Sequence, residues 1–206
     1  MHKDVIAAFT LTLAVALATG CSTAPPMRYY VVTSLEGTAA AASPPASMSG
    51  PSVAVAGVRL PQYLERPQLV TRSGDNQLQV EEFHQWGGNL AKDLTRVLAE
   101  NLARLLRSDA VVAAPHTQRL RPDYRVEVEV LRFERADDAR VYLTAKWWLL
   151  RGADGAQLAG PTTTLTSEPL PAAPTFDPTV AAMSRAYGEL ARAIAQVIAQ
   201  QPKAAP

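Results

Sequence analysis

The sequence predicts an α+β fold: a single, largely antiparallel sheet with two long amphipathic helices packed on one face. Three observations predict it. Segments alternating apolar and polar residues at period two fill two blocks, one before residue 84 and one between residues 111 and 166. Two other segments switch to a helical period, one after each block. Each helix carries one apolar stripe, which has to be buried, and a sheet beside it is the economical cover.

The elements follow in order. Tyr29-Tyr30-Val31-Val32-Thr33 is aromatic and β-branched and reads as a first strand. Gly37 to Pro51 is rich in Ala, Ser, Pro and Gly and reads as a flexible loop. Val53, Val55 and then Val58 mark a second strand, stopped at Leu60-Pro61. Gln68–Arg72 and Gln77–Phe83 flank Ser73-Gly74-Asp75-Asn76, a hairpin signal.

Trp86 to Leu106 reads as the first helix, with Trp86 as its opening hydrophobic anchor. Leu90, Leu94, Val97, Leu98, Leu102, Leu105 and Leu106 form its stripe, and Lys92, Asp93, Arg96, Glu100 and Arg104 lie off it. Val111-Val112 is a short strand. Tyr124, Val126, Val128 and Val130 alternate with Arg125, Glu127 and Glu129. A polar turn over Arg135–Arg140 leads into a return strand, Val141 to Leu150, and Asp154-Gly155 turns the chain into Gln157–Thr166, interrupted near Gly160-Pro161. After a Pro-rich linker, Asp177 caps the last helix with Pro178 at its first position. Its stripe is Val180, Met183, Tyr187, Leu190, Ile194, Val197 and Ile198.

The start of the chain has its own logic. Val5 to Ala18 is apolar apart from Thr10 and Thr12. Roughly 14 such residues make a helix of about 21 Å, short of the ~30 Å hydrocarbon core, so the segment reads as a cleaved signal. It ends Leu17-Ala18-Thr19-Gly20-Cys21, and Cys21 is the only cysteine. This is the pattern of a bacterial lipoprotein signal, in which the Cys thiol takes a diacylglycerol and acyl chains such as palmitate. The other reading, a buried thiol beside a signal-anchor helix, leaves an exported protein with a lone thiol in an oxidising compartment. Ser22, rather than Asp, follows the cysteine and favours sorting to the outer membrane. The expected organisation is therefore a signal peptide over 1–20, a tether over 21–28, one α+β domain over 29–200 with its loop at 37–51, and a disordered tail over 201–206.

Little in the chain points to chemistry. The formal net charge of +1 gives no electrostatic case for nucleic acid. There is no Gly-x-Ser-x-Gly elbow and no His-Glu-x-x-His. His84 and His116 stand apart from any other metal-ligating pattern and read as surface or capping residues. Gly87-Gly88 lacks the rest of a phosphate-loop fingerprint. Glu81-Glu82 and Asp137-Asp138 flank turns and read as solvated, and Arg125, Glu127 and Glu129 read as partners in cross-strand pairs. No metal site, catalytic residue or cofactor is expected beyond the covalent lipid anchor, and the chain does not read as an enzyme. Trp147 belongs to the core face of its strand, so Trp148 points the other way with Tyr142 and Leu150. Either a loop covers these three or they form a protein–protein contact.

Several of these segments together resemble the PqiC family of ABC-type transport auxiliary lipoproteins. The resemblance rests on Tyr29-Tyr30-Val31-Val32 soon after the cysteine, and on Val53-x-Val55. It continues through Val58-x-Leu60-Pro61-x-Tyr63-Leu64-x-Arg66-Pro67-Gln68-Leu69-Val70-x-Arg72. Trp86-x-x-x-Leu90, Arg96-Val97-Leu98-Ala99-x-Asn101-Leu102, Asp123-Tyr124 and Leu143-x-Ala145-x-Trp147-x-Leu149 complete it. Where the family often has proline before Leu90, this chain has Asn89. The resemblance implies an outer-membrane lipoprotein facing the periplasm that maintains envelope integrity as part of an MCE-type lipid transport system. Its implied partners are an MCE-domain protein and the inner-membrane permease that serves it, and its implied form is a homo-oligomeric ring. A reading from another class is a lipoprotein assembly factor, of the pilotin or cell-wall-synthase-activator type.

Overall fold

A computed structural model describes residues 25–35, 49–115, 121–171 and 176–201. The expected signal peptide, Cys21, most of the expected loop at 37–51, His116 and the expected tail from 202 lie outside the described residues. The described residues form nine strands and two α-helices: β1 Arg28–Tyr30, β2 Val53–Val55, β3 Gln68–Ser73, β4 Gln77–Trp86, α1 Leu90–Leu106, β5 Val111–Ala113, β6 Tyr124–Arg135, β7 Val141–Arg151, β8 Gln157–Ala159, β9 Thr162–Thr166 and α2 Phe176–Ala199.

Trp86 does not open the first helix. It ends β4, with its N–H donating to the Pro67 carbonyl at 2.7 Å. Gly87-Gly88 disfavours helix through its conformational freedom, so α1 begins only after Asn89. There the Asn89 side chain accepts the Lys92 N–H at 3.0 Å and satisfies one free donor of the first turn. The helix ends at Arg107, which takes the left-handed conformation at φ 53. At the other helix, Asp177 and Pro178 sit inside the first turn of α2 instead of at its cap, since the helix begins at Phe176. A carboxylate there still complements the helix dipole.

The sheet is mostly antiparallel, as expected, but some of its strand pairs are parallel, which the sequence pattern did not reveal. Antiparallel ladders join β3 to β4, β6 to β7, and β7 to both β8 and β9. Parallel ladders join β1 to β4 and place β2 between β5 and β6, and β3 touches β6 in parallel at Thr71 and Arg135. Alternation at period two is the same for either strand direction, so the pattern of Val53 and Val55 could not reveal that β2 runs parallel to both neighbours. The Gln157–Thr166 segment divides into β8 and β9 around Gly160-Pro161, where proline offers no ladder donor.

Both helices pack on one another and against one apolar face. Val126, Val128, Val130 and Phe133 of β6 meet Val141, Leu143, Ala145, Trp147 and Leu149 of β7 in the same core as Leu94, Leu98 and Leu102 of α1 and Tyr187, Leu190 and Ile194 of α2. The buried Tyr187 hydroxyl donates to the Leu94 carbonyl at 3.1 Å and fastens the helices together. Burial, and secondarily the Asp93 charge, push that phenol well above its ordinary pKa, so it stays a donor.

The segment after β1 is held by side chains instead of a sheet ladder. The Val32 N–H donates to Asp93 Oδ2 at 3.1 Å, the Thr33 N–H to Ser184 Oγ at 3.1 Å, and the Leu35 N–H to Asn101 Oδ1 at 2.7 Å. Asp93 and Asn101 come from α1 and Ser184 from α2. The chain leading from the tether is thus clamped by both helices.

Candidate interaction surface

The face of β6–β7 opposite the helices carries the residues singled out for contact. Cross-strand register sets Arg125 against Leu150, Glu127 against Trp148, Glu129 against Lys146, and Glu134 against Tyr142. Trp148 is neither bare nor buried. Arg59 lies 5.5 Å and Lys146 5.1 Å from its ring centroid, an arrangement in which each cation is attracted to the ring face. Arg59 also reaches Glu129 at 3.7 Å. Gly160 stands against the indole edge, where an added Cβ would lie 3.2 Å from Trp148 Cδ1. Leu150 is half-buried on the same face.

Tyr142 is half-buried too, with Arg132 4.1 Å from its ring centroid. Its hydroxyl donates to Asp138 at 2.5 Å. That bond is the main reason the Asp138 carboxyl is held below the usual carboxylate range and the Tyr142 phenol above its own. Asp137 accepts the Gly74 N–H at 3.0 Å. The two aspartates therefore fasten the β6–β7 turn to the face and to the β3–β4 hairpin, beyond the solvated role expected of them.

Beside Tyr142 sits a residue that sequence reasoning missed. Glu134 belongs to this outer face, yet its side chain is fully buried. It accepts from Tyr63 Oη at 2.6 Å, Arg72 Nε at 2.8 Å, Arg132 Nε at 2.7 Å and the Phe133 N–H at 3.1 Å. Burial alone would raise its pKa. The bonds from Tyr63, Arg72 and Arg132 outweigh burial and hold the carboxyl below its ordinary value. Burial and then the Glu134 bond push the Tyr63 phenol well up. The only signal available was indirect: Tyr63 and Arg72 both belong to the proline-tyrosine-leucine-arginine-proline-glutamine stretch and its continuation.

His84 is not a surface or capping residue. Its Nδ1 is 2.8 Å from the Tyr30 hydroxyl, and its ring centroid is 4.0 Å from that of Phe176, so it packs between β1 and the start of α2. Among the described residues no group of three or more His, Cys, Asp or Glu could hold a metal ion. No described helix is long and apolar enough to cross a membrane. The face can therefore offer a partner rings, cations and carboxylates in fixed positions, which suits recognition.

Known proteins frame this geometry. No curated protein matches the sequence. Among solved structures, an uncharacterized protein is 17% identical with a TM-score of 0.65, covering 84% of this chain and 99% of its own. A Xanthomonas campestris protein of the DUF330 family is 16% identical with a TM-score of 0.63, covering 83% of this chain and 92% of its own. At such identities these likenesses establish a shared fold. The sequence itself matches the ABC-type transport auxiliary lipoprotein component over residues 34–195, most of its length, and the chain belongs to that family.

Proposed function

We propose that the protein is a lipid-anchored subunit of an MCE-type lipid transport system, held through Cys21 on the periplasmic face of the outer membrane. It works there by docking, without chemistry of its own. The observation that carries this reading is the family match over residues 34–195. Cys21 after Leu17-Ala18-Thr19-Gly20 supports the anchor. The partners are an MCE-domain protein and the permease that serves it, and copies of the chain assemble as a homo-oligomeric ring. Trp148, Tyr142 and Leu150 form the docking face, with Arg59, Lys146 and Arg132 holding the two aromatic rings in place.

The test is affinity purification of the full-length chain from crosslinked membranes. An MCE-domain protein and a permease should be recovered with wild type and lost when Cys21→Ala removes the anchor. Recovery of cell-wall synthases or secretion components in their place would reject the reading.

A further inference from the structure

The large apolar residues left exposed are unevenly placed. Met27, Tyr29 and Val31, at 42%, 67% and 54% exposure, occupy alternate positions of the segment that enters the domain. Tyr29 is the most exposed large hydrophobic among the described residues. Tyr30 and Val32, the residues between and after, are buried, so the alternation turns Tyr29 and Val31 outward together. Arg28 is exposed beside them.

We infer that Met27, Tyr29 and Val31 are a membrane-contact strip that rests on the phospholipid bilayer. The inference depends on Cys21 being acylated, as proposed above. Three observations select lipid as the occupant. Met27 follows Cys21 by six residues, so even a fully extended tether keeps it within about 20 Å of the acylated residue. Pro25-Pro26 stiffens the last part of that tether and, lacking N–H groups, does not extend the β1–β4 ladder. The strip is also rigid with the domain, since the next residues are clamped to Asp93, Ser184 and Asn101. An aromatic flanked by aliphatic side chains and a cation suits the interfacial zone of a bilayer, where the ring meets the headgroup level and the cation meets phosphate. The strip would thereby set which side of the domain faces the membrane and which is left for partners.

The test uses acylated protein purified from bacterial membranes and reconstituted in phosphatidylcholine–phosphatidylglycerol vesicles. With Cys21 blocked by acylation, Tyr29→Cys, Val31→Cys and, on β6, Leu131→Cys each give a single thiol for an environment-sensitive fluorophore. Flotation and circular dichroism check anchoring and folding of every variant. Emission at positions 29 and 31 should shift to the blue and fall at least twofold with nitroxide-labelled lipids, while position 131 stays unquenched. Positions 29 and 31 behaving like 131 in floating protein would overturn the membrane contact and leave anchoring intact. A blue shift without lipid quenching would overturn it in favour of a second copy on the strip. Acylated preparations that float no better than Cys21→Ser would sink the anchoring reading, and this inference with it.

Discussion

The Tyr63 hydroxyl donates to Glu134 at 2.6 Å across 71 residues of sequence. The contact joins the connector after β2 to the far end of β6. Arg72, on β3, reaches the same carboxylate. A strand that touches β6 at one residue pair is thus held in place through a buried charge, and so is the hairpin it begins.

Replacing Glu134 with Gln should remove that hold. Breaking a buried ion pair typically costs 3–5 kcal/mol, and because Arg72 and Arg132 still reach solvent we expect about 2–3 kcal/mol at pH 7. The folded carboxyl titrates below the ordinary Glu value of about 4.3. Its contribution is therefore complete above that value and is lost as pH falls below it and through the lower pKa of the folded carboxyl. Urea midpoints at pH 7 and pH 3.5 should show the gap between wild type and Glu134→Gln narrowing only on the acid side. A gap independent of pH would contradict the assignment.

Asn101 should act as a clamp more than as a core residue. Its Oδ1 holds the Leu35 N–H at 2.7 Å, while its buried Nδ2 has no partner among the described residues. Asn101→Ala removes the unsatisfied donor together with the useful acceptor, so the net cost should be small, about 1 kcal/mol. Hydrogen exchange should nonetheless accelerate severalfold at the Leu35 amide and stay unchanged in the middle of β7.

Gly152 is fixed by space. A Cβ there would lie 1.6 Å from the Pro122 carbonyl oxygen, and the Gly152 N–H donates to Asp123 at 2.8 Å. Gly152→Ala must push one backbone off another, at about 2–3 kcal/mol. At this chain length that lowers the thermal midpoint by roughly 5–10 °C. Gly57→Ala, with nothing among the described residues within 4 Å of its added Cβ, should stay within about 2 °C of wild type.

How much was legible follows from the range of each signal. The stripes of both helices and the alternation of Val126, Val128 and Val130 are local, and these residues are buried as expected, apart from the helix ends at Leu105, Leu106 and Val197. The start of α1 was misplaced because Trp86 and Leu90 fit one helical face, and the pattern outweighed the Gly-Gly break between them. Strand direction and Glu134 were beyond reach for a different reason. Both are set by residues far apart in the chain, and beyond Leu131 the register between β6 and β7 shifts, so the alternation no longer tells which side is covered. Trp148 was placed on the correct face, but its cations come from Arg59, in a connector, and from Lys146, two residues earlier on its own strand.

The docking account is tested most directly by a photo-crosslinking residue placed at Trp148 in the membrane-anchored protein. The account predicts an ultraviolet-dependent adduct with an MCE-domain protein, absent when the same residue replaces Leu105 on the far helix face. Adducts only with proteins unrelated to transport, or equal yield from both positions, would contradict it.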